Sequence, residues 1–120
     1  RAALRELQVA DDTIVWYCSD NGGAAGPKST GGLRGSKGTL WEGGVRIPGL
    51  VEWPARIKKP FTSQVPCSTS DIYPTVLAAV GAKAEKQIEP LDGINLLPIF
   101  DGQMTERKKP IGFVSDVRRP

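Results

Sequence analysis

The sequence has 120 residues, of which 39% are hydrophobic and 24% are charged, as in an ordinary globular domain. Its 16 basic and 13 acidic residues leave a formal charge of +3, spread over single residues and short pairs, which argues against a nucleic-acid-binding surface. No apolar run approaches the roughly 20 residues that cross a bilayer, and two cysteines are too few for a disulfide scaffold or a zinc site. Because the first residue is Arg1 and not Met, we expect the chain to be processed, recombinant or cut from a longer protein. No signal peptide opens the sequence.

The first elements predict a helix, a turn and a strand. Residues 2–8 have the apolar spacing of a helix end, and Asp11 and Asp12 indicate a turn. Residues 13–18 are a continuous β-branched and aromatic run, which predicts a strand buried on both faces. Helix, turn and buried strand in this order are typical of an α/β unit with a mainly parallel sheet.

A long glycine-rich segment, residues 19–38, follows the strand. Loops of this length inside a domain are either functional or disordered. The spacing from Gly22 to Lys28 resembles a phosphate-binding loop, but Pro27 stands where the second glycine belongs. Proline offers no N–H to a phosphate, so this interpretation fails.

The second half of the chain predicts a strand over residues 47–53 and a helix ending at Gly81. Thr69 or Ser70 is the expected N-cap of that helix. A charged linker, a short apolar anchor at residues 96–100 and the start of a further strand at residues 111–114 follow.

Asp20 and Asn21 stand directly after the first predicted strand. The carboxyl end of a strand in an open α/β sheet is where ligands bind. A carboxylate beside an amide carbonyl offers two hard oxygen donors, which suit Ca²⁺ or Mg²⁺ better than zinc. An Asp-Asn-Gly turn without a ligand is the alternative, and these residues alone leave it open.

Positive charges lie in and just beyond the loop. Lys37 could approach an anion closely as a point charge, although a solvated loop lysine is the simpler interpretation. Glu42 could pair with a neighbouring cation or cap backbone amides, and the sequence does not choose between these roles.

These segments together resemble the sulfatases of the alkaline-phosphatase-like superfamily. The resemblance rests on S-D-N-G-G, on G-L-R-G-S-K-G-T-L-W-E-G-G-V-R-I-P-G-L-V-E-W-P, on T-S-D-I-Y-P-T-V-L-A-A-V-G and on L-D-G-I-N-L-L-P-I-F. It covers about residues 3–102 and implies an α/β fold in which a partial sheet with flanking helices is truncated. Residues 1–120 would then be a single partial domain, with residues 19–38 as an active-site loop and residues 103–120 as the start of a C-terminal segment.

The resemblance also implies roles for individual residues. Asp20 and Asn21 would ligate Ca²⁺, with Mg²⁺ as a further possibility, and Lys37 would bind the sulfate group of the substrate. Glu42 and Arg46 would organise the loop. The activity implied is the hydrolysis of sulfate esters.

The residue that performs sulfatase chemistry is missing from the sequence. Sulfatases use a formylglycine made from a C/S-x-P-x-R motif, and neither Cys18 nor Cys67 stands in such a motif. Histidine is absent as well. We therefore expect no catalytic residue in this chain, a formylglycine upstream of it, and no turnover by the chain alone.

Two other interpretations remain. The chain could be a non-catalytic remnant that binds an anion or a divalent ion, or it could associate with itself or a partner through unpaired strand edges. In a full-length enzyme the substrate would be a sulfated small molecule or glycan, and a periplasmic, secreted or lysosomal location would suit the family. We expect no nucleic-acid partner and no membrane span, and whether Cys18 and Cys67 pair is left open.

Overall fold

The computed structural model describes residues 1–24, 26, 28–84 and 86–114. Pro27, Glu85 of the charged linker, and residues 115–120 of the predicted C-terminal segment lie outside the described residues. The chain divides into two compact units. Unit 1 contains Arg1–Pro54 together with residues 112–114 of the described chain, and unit 2 contains Ala55–Ile111.

Unit 1 contains a two-stranded sheet with two short helices. Helix α1 (Ala2–Glu6) lies within the predicted helix, strand β1 is Val15–Cys18, helix α2 is Glu42–Val45, and strand β2 is Gly49–Glu52. The strands pair antiparallel, from Val15 opposite Glu52 to Cys18 opposite Gly49. The prediction of both strands is confirmed, but a parallel arrangement is wrong for this pair, since a run of β-forming residues does not encode the direction of pairing.

The side chains of the sheet are more exposed to solvent than the apolar sequence of β1 predicts. We expected β1 to be buried on both faces, yet Tyr17 is 67% exposed and its cross-strand neighbour Leu50 is 64% exposed. Directly opposed residues point to the same face of a sheet. That face of the two-stranded sheet therefore remains open in unit 1.

Unit 2 is built around helix α3 (Ile72–Val80), which a 3₁₀ turn at Thr69–Asp71 precedes. The N-cap of this 3₁₀ turn is Ser68, whose hydroxyl accepts from the Ser70 N–H while the Asp71 carboxylate accepts from the Ser68 N–H. The N-cap of α3 itself is Asp71, without a side-chain capping bond, so the prediction of Thr69 or Ser70 is wrong. Gly81 ends α3 with a φ of +65°, which confirms the predicted C-terminus.

The remaining elements of unit 2 are short. The predicted apolar anchor forms helix α4 (Leu97–Phe100), whereas residues 111–114 form no strand, so that prediction is wrong. The described part of the chain contains no helix long and apolar enough to cross a membrane.

The core of unit 2 joins α3 to α4. Leu96 is 2% exposed and Ile99 is 5% exposed, and Thr75 and Asp71 are fully buried beside them. The Thr75 hydroxyl donates to the Asp71 carbonyl oxygen at 2.6 Å and accepts from the Leu96 N–H at 2.9 Å. A buried hydroxyl with both a donor and an acceptor partner is satisfied, so α3 and α4 are joined by polar as well as apolar contacts.

Candidate functional site

The Asp-Asn-Gly turn directly follows β1. The Ser19 hydroxyl donates to the Asn21 carbonyl oxygen at 2.9 Å, and the Asn21 Nδ2 donates to the Gly22 carbonyl oxygen at 2.9 Å. Among the described residues, no hydrogen bond reaches the Asn21 Oδ1 or the carboxylate of the exposed Asp20. The turn therefore uses the donor of the Asn21 amide and leaves its Oδ1 and the Asp20 carboxylate available to a cation.

Lys37 stands in a tight turn over residues 36–39. The Thr39 N–H donates to the Ser36 carbonyl oxygen at 3.0 Å, and the Thr39 hydroxyl donates to the same oxygen at 2.8 Å. Gly38 has a φ of +88°, which glycine adopts freely and which a type II turn requires at its third position. The turn places Lys37 at its second position, with the lysine exposed to solvent.

Backbone contacts join this turn to the Asp-Asn-Gly segment. The Lys37 N–H donates to the Gly23 carbonyl oxygen at 2.8 Å, and the Gly22 N–H donates to the Gly44 carbonyl oxygen at 2.8 Å. A Cβ at Gly22 would overlap the Gly43 carbonyl oxygen. We call Gly22, Gly23, Gly43 and Gly44 the glycine seam, since only residues without side chains permit this approach of one backbone to another.

Helix α2 contributes the other half of the seam. The Gly43 N–H donates to the Arg34 carbonyl oxygen at 2.7 Å, and Gly43 and Gly44 are both buried. A Cβ at Gly43 would overlap the Gly35 carbonyl oxygen, and one at Gly44 would overlap the Thr39 carbonyl oxygen. The segments that carry Asp20 and Lys37 are thus brought together through their main chains, while no hydrogen bond or ion pair joins their side chains among the described residues.

Glu42 and Arg46 form an ion pair along α2. The Arg46 Nη1 lies 3.3 Å from the Glu42 Oε2, four residues apart, and both side chains are exposed. Of the two roles left open for Glu42, the structure therefore shows the pairing with a cation. An exposed pair of this kind adds little to stability, about 0.3–0.5 kcal/mol.

Sequence reasoning missed the contact between Arg34 and Trp41. The Arg34 guanidinium lies 3.4 Å from the centre of the Trp41 ring, within the range of a cation–π interaction. The two residues flank the Lys37 turn, and a basic and an aromatic residue on either side of a tight turn was the available signal. The contact stabilises the base of the loop that carries Lys37.

The metal donors present are hard but few. The described residues contain no group of three or more carboxylates, cysteines or histidines that could hold a metal ion. Asp20 and Asn21 offer oxygen donors of the kind that Ca²⁺ and Mg²⁺ take, whereas Ca²⁺ usually takes six to eight. The donors are of the chemical kind that the predicted cation takes, and two residues supply fewer donors than a complete site needs.

The two cysteines form no disulfide with each other. Both are free thiols, with Cys18 half-buried and Cys67 exposed. Although Cys67 as a whole is exposed, the partial burial of its sulfur raises the pKa of the thiol, Asp71 raises it further, and Arg107 opposes both. A thiol with a raised pKa is a poor nucleophile near neutral pH, because the thiolate is the reactive form.

A second polar cluster, in unit 2, surrounds Asp71. Two Arg107 nitrogens lie 2.7 and 3.0 Å from the carboxylate oxygens, and the N–H groups of Ser68 and Ile94 also donate to them. Burial raises the pKa of the Asp71 carboxyl, but the hydrogen bonds from Arg107 and the two backbone groups outweigh it and hold that pKa below its ordinary value. The Arg107 side chain is only 4% exposed, so we interpret the pair as structural.

Comparison with known proteins identifies the family. The family model described as Sulfatase matches residues 1–82. The chain belongs to the sulfatase family. Steryl-sulfatase of Mus musculus is 39% identical over 110 residues, which cover 84% of this chain and 18% of that protein.

Other sulfatases are similar to the same extent. N-acetylgalactosamine-6-sulfatase of Homo sapiens is 37% identical over 87% of this chain and 21% of its own length. The chain therefore spans about a fifth of the length of the curated relatives it matches. A solved structure, Ps i-CgsB in complex with k-i-k-neocarrahexaose, superposes with a TM-score of 0.67 and 37% identity, over 85% of this chain and 23% of that one. The resemblance to sulfatases drawn from the sequence is confirmed.

Proposed function

We propose that this chain carries the metal-binding and sulfate-binding part of a sulfatase that hydrolyses sulfate esters, within an α/β fold of the alkaline-phosphatase-like type. Membership of the sulfatase family supports the reaction class. The observation that carries the assignment to this part of the molecule is the glycine seam. Its hydrogen bonds hold the Asp20–Asn21 segment against the turn that presents Lys37.

Lys37 acts as the sulfate-binding residue of the site. Its ammonium group neutralises charge on the sulfate and can stabilise the charge that develops when the ester bond breaks. The structure supports this role because the side chain is exposed and has no carboxylate partner among the described residues. Asp20 and Asn21 are the residues that would hold Ca²⁺, or Mg²⁺, and the ion would polarise a sulfate oxygen as a Lewis acid.

The covalent step depends on residues outside this sequence. Neither Cys18 nor Cys67 lies in a C/S-x-P-x-R motif, and the sequence contains no histidine to act as a general acid or base. We therefore propose that a formylglycine is supplied by a longer protein. This chain then binds and orients the sulfate group but does not turn it over alone.

The substrate belongs to the broad class of sulfated small molecules and glycans. The names of the relatives include a steryl-sulfatase and an N-acetylgalactosamine-6-sulfatase, which differ in the alcohol attached to the sulfate. The residues proposed for this site bind the sulfate group and the cation, which the hydrolysis of different sulfate esters has in common. They carry no preference for the alcohol.

A non-catalytic module that binds an anion or a divalent ion is the second candidate. The absence of histidine from the sequence and the two oxygen donors of the loop favour it for the isolated chain. Self-association through the open edges of β1 and β2 would accompany it, because in the two-stranded sheet of the described residues each strand has one edge without a strand partner. Sedimentation that shows a monomer over a hundredfold range of concentration would contradict self-association.

Sulfate binding to the 120-residue chain tests the proposal. Sodium sulfate is titrated against chloride at constant ionic strength, and the backbone amides of the loop are followed by NMR. Lys37→Ala should weaken sulfate binding by about tenfold or more, since a charge-assisted hydrogen bond contributes about 1.5–3 kcal/mol. Lys28→Ala is the matched control, because Lys28 is an exposed lysine of the same loop that lies outside the Lys37 turn.

The two substitutions must give different results. Equal weakening by Lys28→Ala and Lys37→Ala would show attraction by general positive charge and would contradict the assignment. Unchanged binding in Lys37→Ala would refute the sulfate site.

A further inference from the structure

The Thr39 hydroxyl is the central side-chain contact of the Lys37 turn. It donates to the Ser36 carbonyl oxygen at 2.8 Å and accepts from the Ser36 N–H at 3.2 Å. One hydroxyl thus forms hydrogen bonds with both backbone polar groups of Ser36 and closes the turn. The backbone bond from the Thr39 N–H to the same carbonyl oxygen, at 3.0 Å, adds a third contact.

Thr39 also fills the space between two glycines. A Cβ at Gly35 would meet the Thr39 Oγ1 at 2.5 Å, and a Cβ at Gly44 would meet the same atom at 2.8 Å. The hydroxyl therefore packs against the backbone of Gly35 and against the glycine seam at Gly44. Thr39 itself is half-buried, in contrast to the exposed Lys37.

The position of Lys37 depends on the hydrogen bonds and packing of this turn. Its side chain makes no hydrogen bond or ion pair among the described residues, so no protein group holds the ammonium directly. Its backbone is held at the N–H by the Gly23 carbonyl oxygen and, on either side, by the contacts between Ser36 and Thr39. Loss of the hydroxyl would leave one edge of the turn held by a single backbone bond.

We propose that Thr39 is a positioning residue for Lys37: its hydroxyl locks the turn and aims the lysine at the sulfate group. The inference rests on the proposed sulfate-binding role of Lys37 and extends it to a residue that does not touch the sulfate. A positioned charge binds better than a mobile one because less conformational freedom is lost on binding. The effect on affinity should follow the hydroxyl rather than the size of the side chain.

The experiment measures sulfate binding to the 120-residue chain and three Thr39 variants by NMR titration at constant ionic strength. Thr39→Val removes the hydroxyl with little change of shape, and its sulfate dissociation constant should rise about threefold to tenfold, the range of one net hydrogen bond. Thr39→Ser keeps the hydroxyl and should bind within about twofold of the parent. Thr39→Ala gives a second test without the hydroxyl, in case a methyl group is not tolerated against Gly35 and Gly44.

A glycine control and amide exchange separate positioning from unfolding. Gly49→Ala should bind sulfate as the parent does, because a Cβ at Gly49 in β2 meets nothing within 4 Å. Amide exchange should accelerate at Ser36 in Thr39→Val and Thr39→Ala, while the Leu96 amide in unit 2 keeps its protection. That pattern shows a loosened turn in a folded chain.

The results distinguish the positioning role of Thr39 from the proposed binding of sulfate by Lys37. Parent-like affinity in Thr39→Val and Thr39→Ala, with Lys37→Ala impaired, would overturn the positioning role and leave the sulfate site intact. Weakening in Thr39→Ser equal to that in Thr39→Val would also overturn it, because the hydroxyl would then not be responsible. Sulfate that binds the parent and Lys37→Ala equally would refute the proposed function, and the inference with it.

Discussion

At Asp71 a carboxylate with no exposed surface accepts four hydrogen bonds, two from Arg107 and one each from the backbone of Ser68 and Ile94. The charged carboxylate is therefore satisfied where a lone buried charge would not be tolerated. This pair could not be predicted from the sequence, because its members lie 36 residues apart and no local pattern connects them.

Removing one partner of this pair should be costly. Arg107→Met leaves the Asp71 carboxylate buried without its counter-charge, and we expect a loss of about 3–5 kcal/mol in the free energy of unfolding. Urea denaturation followed by circular dichroism measures it. Arg46→Met, which breaks only the exposed pair with Glu42, is the control and should change stability by at most about 0.5 kcal/mol. A similar loss in both variants would contradict a structural role specific to Asp71 and Arg107.

The same carboxylate should make stability depend on pH. Its pKa is lower in the folded chain than in the unfolded chain, where an aspartate has a pKa of about 3.9. The stabilisation is therefore complete above that value and is lost as the pH falls through the folded-state pKa. Urea unfolding at pH 5, 4 and 3 should show this decline in the parent and a shallower one in Asp71→Asn. Parallel declines would exclude Asp71 as the source.

At the scale of the elements, the sequence predicted where strands and helices lie better than how they pair. Strands β1 and β2 lie within the predicted ranges 13–18 and 47–53 and are shorter than them, because β-branched and aromatic runs favour extended backbone without fixing where pairing ends. Their antiparallel pairing depends on the course of the loop between them, which composition does not encode. The capping side chain is Ser68, at the start of the 3₁₀ turn before α3, because residues 68–70 are all competent caps and the Asp71 carboxylate pairs with the Ser68 N–H.

The contact between α3 and α4 offers a test at this scale. Thr75→Val removes the hydroxyl that accepts from the Leu96 N–H, and Leu96 is only 2% exposed. A buried N–H without a partner costs about 1–3 kcal/mol, so the free energy of unfolding should fall by that amount. Thr75→Ser, which keeps the hydroxyl, should retain more of the stability in the same urea titration. Equal losses would place the effect in packing rather than in the hydrogen bond.

For the whole molecule, the resemblance of its motifs to those of sulfatases indicated the family, and the comparisons confirm it. The glycine seam could not be foreseen, because the sequence shows that residues 19–38 are rich in glycine but not which glycines approach one another. The assignment of Asp20, Asn21 and Lys37 came from resemblance, and binding experiments are needed to test it.

The whole chain should be a weak calcium binder and an inactive hydrolase. Asp20 and Asn21 provide two of the six to eight oxygens that Ca²⁺ usually takes, so we expect a dissociation constant no tighter than about 10⁻⁴–10⁻³ M by calorimetry. The 120-residue chain should release no product from an aryl sulfate above background. Micromolar calcium affinity that survives Asp20→Asn, or turnover abolished by Lys37→Ala, would show that the chain assembles groups we have not identified.

The register of the small sheet has a consequence for how this loop forms. Cys18 lies opposite Gly49, so the strand pair closes the loop between these two residues. A shift of two residues in the register of β1 against β2 would keep the same side chains on each face of the sheet. It would, however, move one end of the loop by about 7 Å. None of the backbone bonds between Gly22 and Gly44 or between Lys37 and Gly23 could span that offset. The loop therefore favours the observed register of the strands, since only in this register can its backbone hydrogen bonds form.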